Sequence, residues 1–511
     1  MKHNKARLVW VMGLLLASSL ACQLTSPRPA SWAGTPTAAA WATEIAITQA
    51  AIAGAGDFVF TPTVPTPTQA VTPTPTPTST PVPEGSGPWL VYPAPEGGGL
   101  HAYDLSTERI RAIHLPDPLI SADLVKGRSP DGHTLVIRAG SELNTDELAL
   151  YQIDLPSFEV SKITPLLSLT VQRMIVTDQN TRALDTLAVV TRPDGLAWSP
   201  DGRFLAFNAA LHNETSDLYV LDTLNERIDR LNGLFTQNAS PFWSPGSDWL
   251  VSQELNHVQQ ALGWRSELVS GLRVPSFDSQ NTLYVPPAGS REEVFVGWLN
   301  PTTFVSYSQA DEGPQTLRQL NLAENAQENL IFAGAFQQVA YDPASGVLAY
   351  TLDYATAIPQ GLTGGIYRVL PDSPVHSLQS AGNWGQLAYD PGGMFLASGL
   401  QGVTLFTPDG DSLPLPEEGE ARLSPNGNWL VGYGRGEQSS PGARLYRAGS
   451  SNPLQTLIET PVEAVLWQPD SAGFFIQSEG VLYHLVFPGL KPREIASGLA
   501  PSADLALVWV E

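Results

Sequence analysis

A proline-centred turn returns eight times between residues 128 and 470 of this 511-residue chain, each time leading into a short apolar strand. The fullest copy is Trp198-Ser199-Pro200-Asp201-Gly202, followed by Phe204-Leu205-Ala206-Phe207. Each residue type suits its place. Ser bonds the backbone at the first position of the turn, Pro presets φ at the second, Asp or Asn suits the third, and Gly tolerates positive φ at the fourth. Gly202 is therefore expected at positive φ. Ser129-Pro130-Asp131-Gly132, Ser244-Pro245-Gly246 and Ser424-Pro425-Asn426-Gly427 are close copies, and weaker ones centre on Pro301, Pro343, Pro391 and Pro469. The eight prolines lie about 48 residues apart on average. The flanking strands are too apolar to alternate cleanly, as expected for strands covered on both faces. Four-stranded blades recur at about 40–50 residues and leave only short, protected edges. Residues 89–511 are thus expected to form an all-β domain, a single β-propeller.

The repeat resembles the TolB-like, WD-type β-propeller family, whose signature is a W-S-P-D-G turn followed by an apolar strand. Residues 198–207 match it fully, and the resemblance covers nearly all of residues 89–511. It implies that the aromatic before the turn, as at Trp198, Trp243 and Trp467, packs between blades. Trp198, Pro200, Asp201 and Gly202 are accordingly read as structural turn residues. Eight turns imply eight blades. The N-terminal WLVYPAP and GLHAYDL and the C-terminal LALVWVE read as two halves of a closing blade without a turn of its own, which brings the count to nine. The expectation adopted is about eight four-stranded blades, with seven to nine compatible. Pro301 heads the weakest candidate. Extra sequence at residues 171–191 is expected to be an inserted loop or an additional hairpin.

The N-terminus carries a different signal. Lys2, Lys5 and Arg7 precede an apolar run from Leu8 to Ala21, which is too short to span a bilayer comfortably and has the form of an export signal. The chain's single cysteine, Cys22, follows it directly. This resembles the lipobox of bacterial lipoproteins, with Ser19 where that pattern usually has Leu. The alternative is an ordinary cysteine in an ordinary signal peptide. Residues 1–21 are read as a lipoprotein signal peptide. Residues 22–88 are read as the lipidated cysteine and a disordered tether, because the Thr/Pro alternation at 61–83 cannot build helix or sheet. The expected location is the outer surface of a cell membrane in a bacterial envelope.

Charge and motifs narrow the chemistry. Lys+Arg 27 against Asp+Glu 50 leaves −23, which argues against nucleic acid. One cysteine excludes a disulfide framework and a Cys-based zinc site. TolB-type propellers also precede hydrolase domains, but no G-x-S-x-G elbow occurs, and the eight histidines show no metal-binding spacing. Ser129-Pro130-Asp131-Gly132 places its Gly too early for a sialidase-type Asp box. Glu292-Glu293, and Asp409-Gly410-Asp411 with Glu417-Glu418, lack calcium-loop spacing and read as solvated hairpin turns. No catalytic, cofactor-binding or metal-ligating residue is therefore assigned.

The expected function is that of a non-enzymatic module, a monomer without cofactor, binding an envelope protein or peptide through propeller loops. The alternative is a carbohydrate- or small-molecule-binding propeller, hydrolytic or not, that uses its central channel.

Overall fold

The structure is a computed structural model. It describes residues 88–508 except 142–146, 156, 232–235, 257–260, 269–281, 286–291, 310–314, 325–326, 335, 371–372, 374, 391–392, 400–401, 416–417, 435–440 and 501–505. The described residues belong to the larger of two compact units, Thr80–Glu511. The expected signal peptide, Cys22 and residues 23–87 lie outside the described residues.

Among the described residues, nine antiparallel sheets follow one another along this unit, eight of four strands and one of three. Blade 1 joins Trp89–Pro93, Gly99–Asp104 and Ile110–His114 to the C-terminal strand Ala506–Val508. Trp89 pairs with Val508 and Val91 with Ala506, so the two chain ends share one sheet. Blade 2 has Thr134–Ala139, Ala149–Asp154 and Glu159–Pro165. Blade 3 has Leu196–Trp198, Phe204–Ala209, Asp217–Asp222 and Arg227–Arg230. Blades 4 to 9 begin at Gln237–Trp243, Glu292–Asn300, Val339–Tyr341, Trp384–Asp390, Glu420–Leu423 and Val462–Trp467. The structure is therefore a β-propeller of nine blades, the upper end of the expected range. The turn at Pro301 does head a blade, since it joins Glu292–Asn300 to Thr303–Gln309.

Hydrophobic burial closes the ring. Each blade packs on the next through its own apolar cluster, as Phe204, Val220, Trp243 and Leu250 do between blades 3 and 4. The last such cluster sets Leu90, Tyr92 and Tyr103 of blade 1 against Phe475 and Leu482 of blade 9. First strands of neighbouring blades approach one another, as in blades 3 and 4 and in blades 5 to 7, which places them around the axis. In such a meander the first-to-second turns share one end of the ring. The second-to-third loops and the links between blades share the other.

The proline turns occupy the first of these ends. Gly202 sits at φ +73°, its N–H bonded to Ser199 O at 2.9 Å, and Ser199 Oγ accepts from Phe204 N at 2.9 Å. Two turns place Ser rather than Gly at the left-handed position, Ser247 at +60° and Ser471 at +58°. Their hydroxyls accept from Asp201 N and Asn426 N, in the preceding blades' turns, at 3.2 and 3.1 Å.

The opposite end carries two departures from regularity. In blade 2 the upper part of the inner strand is replaced by a helical turn, α1 (Asp123–Lys126), and the chain returns to pairing only at Gly127 and Arg128. Gly127 is required there, because a Cβ would stand 1.8 Å from Val136 O. Residues 171–191 are neither a plain loop nor a β-hairpin. They belong to two helices, α2 (Leu169–Val176) and α3 (Thr181–Val190). Ser168 caps α2 through Val171 N, and Asn180 caps α3 through Arg182 N and Ala183 N. Val171, Ile175, Ala183 and Val190 bury one face against blades 2 and 3, which supplies the stability that short isolated helices lack.

Candidate functional site

The helical turn and the helix pair bring charged residues to the channel wall. Arg192-Pro193-Asp194-Gly195 is a tight turn between α3 and the inner strand of blade 3, with Gly195 N bonded to Arg192 O at 3.1 Å. It points the two side chains back at each other. Arg192 Nε and Nη2 donate to Asp194 Oδ1 and Oδ2 at 3.0 and 3.1 Å. From blade 4, Ser240 Oγ donates to Asp194 Oδ2 at 2.6 Å. Ser240 sits at φ +54°, where the first strand of blade 4 bulges between Ala239 and Phe242. A non-glycine residue held there is strained, and such strain collects at functional sites.

Lys126 completes the group from blade 2. It is solvent-exposed, and its ammonium makes no hydrogen bond or ion pair among the described residues. Surrounding protein nevertheless strips water from it and pushes its pKa down. Arg138 and Arg192 add to that shift, while Asp194 and Asp123 oppose it. Asp194 responds in the other sense: burial pushes its carboxyl up, but the bonds from Arg192 and Ser240 outweigh this and hold it below its ordinary value. Neighbouring titratable groups with shifted pKa values mark a candidate site.

A fully buried pair supports this wall. Arg138 Nε and Nη2 donate to Asp123 Oδ2 and Oδ1 at 2.9 and 2.7 Å, and Nη1 donates to Val190 O at 2.8 Å. The pair ties α1 to blade 2 and α3 to both.

Among the residues singled out from the sequence, Trp198 comes closest to this group. Its Nε1 donates to Gly127 O at 2.7 Å, next in the chain to Lys126. Trp243 Nε1 bonds Ala197 O at 3.0 Å and Trp467 Nε1 bonds Arg422 O at 3.1 Å, each reaching the preceding blade. Pro200, Asp201 and Gly202 lie at the proline-turn end, away from the group. Cys22 lies outside the described residues. Lys126, Arg192, Asp194 and Ser240 were not singled out. The only local signal was the R-P-D-G turn, since three different blades supply the four side chains.

Of the two acidic sequence clusters, Asp409 and Asp411 are exposed at a turn as expected, while one residue of each cluster is not. Glu293 is buried rather than solvated. It takes Arg318 Nη2 on both oxygens at 2.7 and 2.8 Å and Trp264 Nε1 at 2.6 Å. Glu418 is fully buried against Arg444 Nη1 at 2.9 Å and Tyr446 Oη at 2.6 Å. Buried carboxylates persist where paired, and a run of two acids in sequence does not reveal the partner on a later strand. Among the described residues no group of three His, Cys, Asp or Glu could hold a metal ion.

No protein-family model matches the sequence, and no curated protein matches it. Solved structures do. The chain is similar to dipeptidyl peptidase 4 of Porphyromonas gingivalis, at 13% identity and TM-score 0.45, over 76% of this chain and 62% of that one. It therefore spans less than two thirds of that protein's length. It is also similar to an oligogalacturonate lyase solved in complex with manganese (11%, TM-score 0.37, over 76% of this chain and 92% of that one). TolB from Acinetobacter baumannii is a third (12%, TM-score 0.31, over 67% of each chain). The expectation of a chain without enzyme activity does not stand beside these likenesses, since a peptidase and a lyase are among them. A missing G-x-S-x-G elbow excludes one chemistry and not catalysis at large. At these identities no activity passes to this chain.

Proposed function

We propose that this propeller binds a small carboxylate-bearing molecule or acidic saccharide at the mouth of its central channel, on the face that carries α1 to α3. The observation behind the reading is Lys126, an exposed ammonium that makes no hydrogen bond or salt bridge among the described residues and feels Asp194 and Asp123 only at longer range, in a chain of net charge −23. A ligand carboxylate is the partner such a cation selects, and a hydrogen bond to a charged group contributes about 1.5–3 kcal/mol. Asp194, oriented by Arg192 and Ser240, offers acceptor oxygens to ligand hydroxyls beside it. Calorimetric titration with a panel of organic acids, uronic acids and their neutral counterparts tests this. Acidic members should bind, and Lys126→Met should weaken them roughly tenfold or more. Equal affinity for acidic and neutral members, or unchanged affinity in Lys126→Met, sinks the reading.

The proposal includes a membrane-tethered location in a cell envelope. It rests on Cys22, the only thiol, directly after a basic and then apolar N-terminus. Mass spectrometry of the protein from the membrane fraction should find an acylated N-terminal Cys22. An unmodified Cys22, or an N-terminus beyond it, would leave a secreted protein.

A further inference from the structure

A concavity lies between the helix pair and blade 3, and none of Lys126, Arg192, Asp194 and Ser240 lines it. It is a cleft of about 370 Å³ lined by Ser168, Thr170, Arg182, His212, Asn213 and Thr215, with Leu211 and Glu214 beside them. That volume falls within the usual range of small-ligand pockets. One wall is the start of α2 and the side of α3. The other is the loop from residue 210 to 216, joining the second and third strands of blade 3. Ser168 N bonds Ala210 O at 2.8 Å, and Thr186 Oγ1 bonds Glu214 O at 2.6 Å, so the walls are fastened to each other at both ends.

The lining is held from behind by buried polar groups. Asp217 is fully buried and takes Arg230 Nη2 on Oδ2 at 2.7 Å. Asn213 stands between this pair and the cleft. With its amide turned as the surrounding donors and acceptors require, its nitrogen donates to Asp217 Oδ2 at 2.9 Å, and its oxygen accepts from Arg230 Nη2 at 2.7 Å. His212 stacks on Tyr219 at 5.9 Å between ring centroids, and its Nδ1 lies 2.9 Å from Tyr219 Oη. Asp217 Oδ1, Arg230 Nε and the whole amide of Gln172 on α2 are buried without a hydrogen-bond partner among the described residues. Ser168 lines the cleft, and Gln172 lies one turn along the same helix face. Asp217, Arg230 and Gln172 do not themselves line the cleft, and buried polar atoms left unsatisfied in this way call for ordered water behind its wall.

We propose that this cleft is a second binding site, for a neutral polyhydroxylated molecule such as a single sugar unit. Hydroxyl, amide, imidazole, guanidinium and carboxylate groups alternate around it, and its two nearby charges, Arg182 and Glu214, are of opposite sign. That set serves a ligand rich in hydroxyls that both donate and accept, and it favours neither an anion nor a cation. Leu211 supplies one apolar contact for a ring face. The site stands independently of the carboxylate reading at the channel mouth.

The test uses the full chain and a panel of neutral mono- and disaccharides and cyclic polyols, read by saturation-transfer NMR and calorimetry. At least one neutral member should bind. Glu214→Gln and Thr215→Val should each weaken it at least fivefold, while Lys126→Met leaves it unchanged. Thr215 is buried and its variant could perturb the loop, so exposed Glu214 provides the arm that does not depend on folding. Failure of every panel member to bind at 10 mM, or loss of binding in Lys126→Met with retention in Glu214→Gln, overturns the proposal.

Discussion

Arg444 reaches Glu418 across a glycine. Arg444 lies on the third strand of blade 8, opposite Gly432 on the second, and its Nη1 meets Glu418 Oε1 at 2.9 Å. A Cβ on Gly432 would stand 2.7 Å from Glu418 Cγ. Blade 5 repeats the device: Arg318 is opposite Ser306, which is in turn opposite Phe295, and Arg318 reaches Glu293 on the first strand. A small residue on the middle strand is what lets an acid and an arginine meet inside a blade.

Gly432→Val should therefore push Glu418 off its arginine and leave a fully buried carboxylate poorly compensated. Breaking a buried pair in this way costs about 3–5 kcal/mol. Denaturant unfolding of the variant against the wild type measures it, and a loss below 1 kcal/mol would show that the pair tolerates displacement.

His484 should make the propeller acid-sensitive. It stacks on Phe475 at 4.6 Å, and burial, aided by Arg493 and opposed by Glu108, lowers its pKa to about 4. The unfolded value is about 6.5, so protonation on acidification favours the unfolded chain. The cost begins below pH 6.5, grows as pH falls, and totals about 3 kcal/mol by pH 4. His484→Leu should remove this slope. Thermal melts of both proteins from pH 7 to 4 decide it: parallel curves would mean that His484 is not held neutral.

Asp217 should act with the opposite pH sense. Burial, opposed by Arg230 and Asn213, raises its pKa to about 7 from 3.8. Charging it is costly in the folded chain, so stability falls as pH rises from about 4 to 7, by something on the order of 4 kcal/mol. Asp217→Asn cannot ionise and keeps the shape. Relative to wild type it should gain stability steadily over that interval. A constant difference between the two proteins from pH 4 to 8 would refute the assignment.

Ring closure rests on a short strand. Removing residues 505–511 takes away Ala506–Val508 and exposes the edge of Trp89–Pro93. An unpaired inner edge invites aggregation. The truncated protein should melt well below the full chain or aggregate on concentration, seen by calorimetry and light scattering. Identical melting would mean that blade 1 closes without it.

The sequence by itself determined the repeat unit. The turn needs Ser, Pro, Asp and a residue at positive φ within five positions, and an apolar strand must follow, so both are local and legible. The blade number was legible only as a range: the sequence reading adopted about eight, and the ninth blade, whose two halves lie at opposite ends of the chain, was settled by the pairing of Trp89–Pro93 with Ala506–Val508. Three things came only from the tertiary structure. The helix pair at 169–190 was hidden because its stability comes from burying one face on blades 2 and 3. The partners of Glu293 and Glu418 were hidden because each arginine lies 25 or 26 residues away, on a strand brought alongside only by the meander. The group of Lys126, Asp194 and Ser240 was hidden because each comes from a different blade, and only the packing of blades 2, 3 and 4 side by side brings the three together.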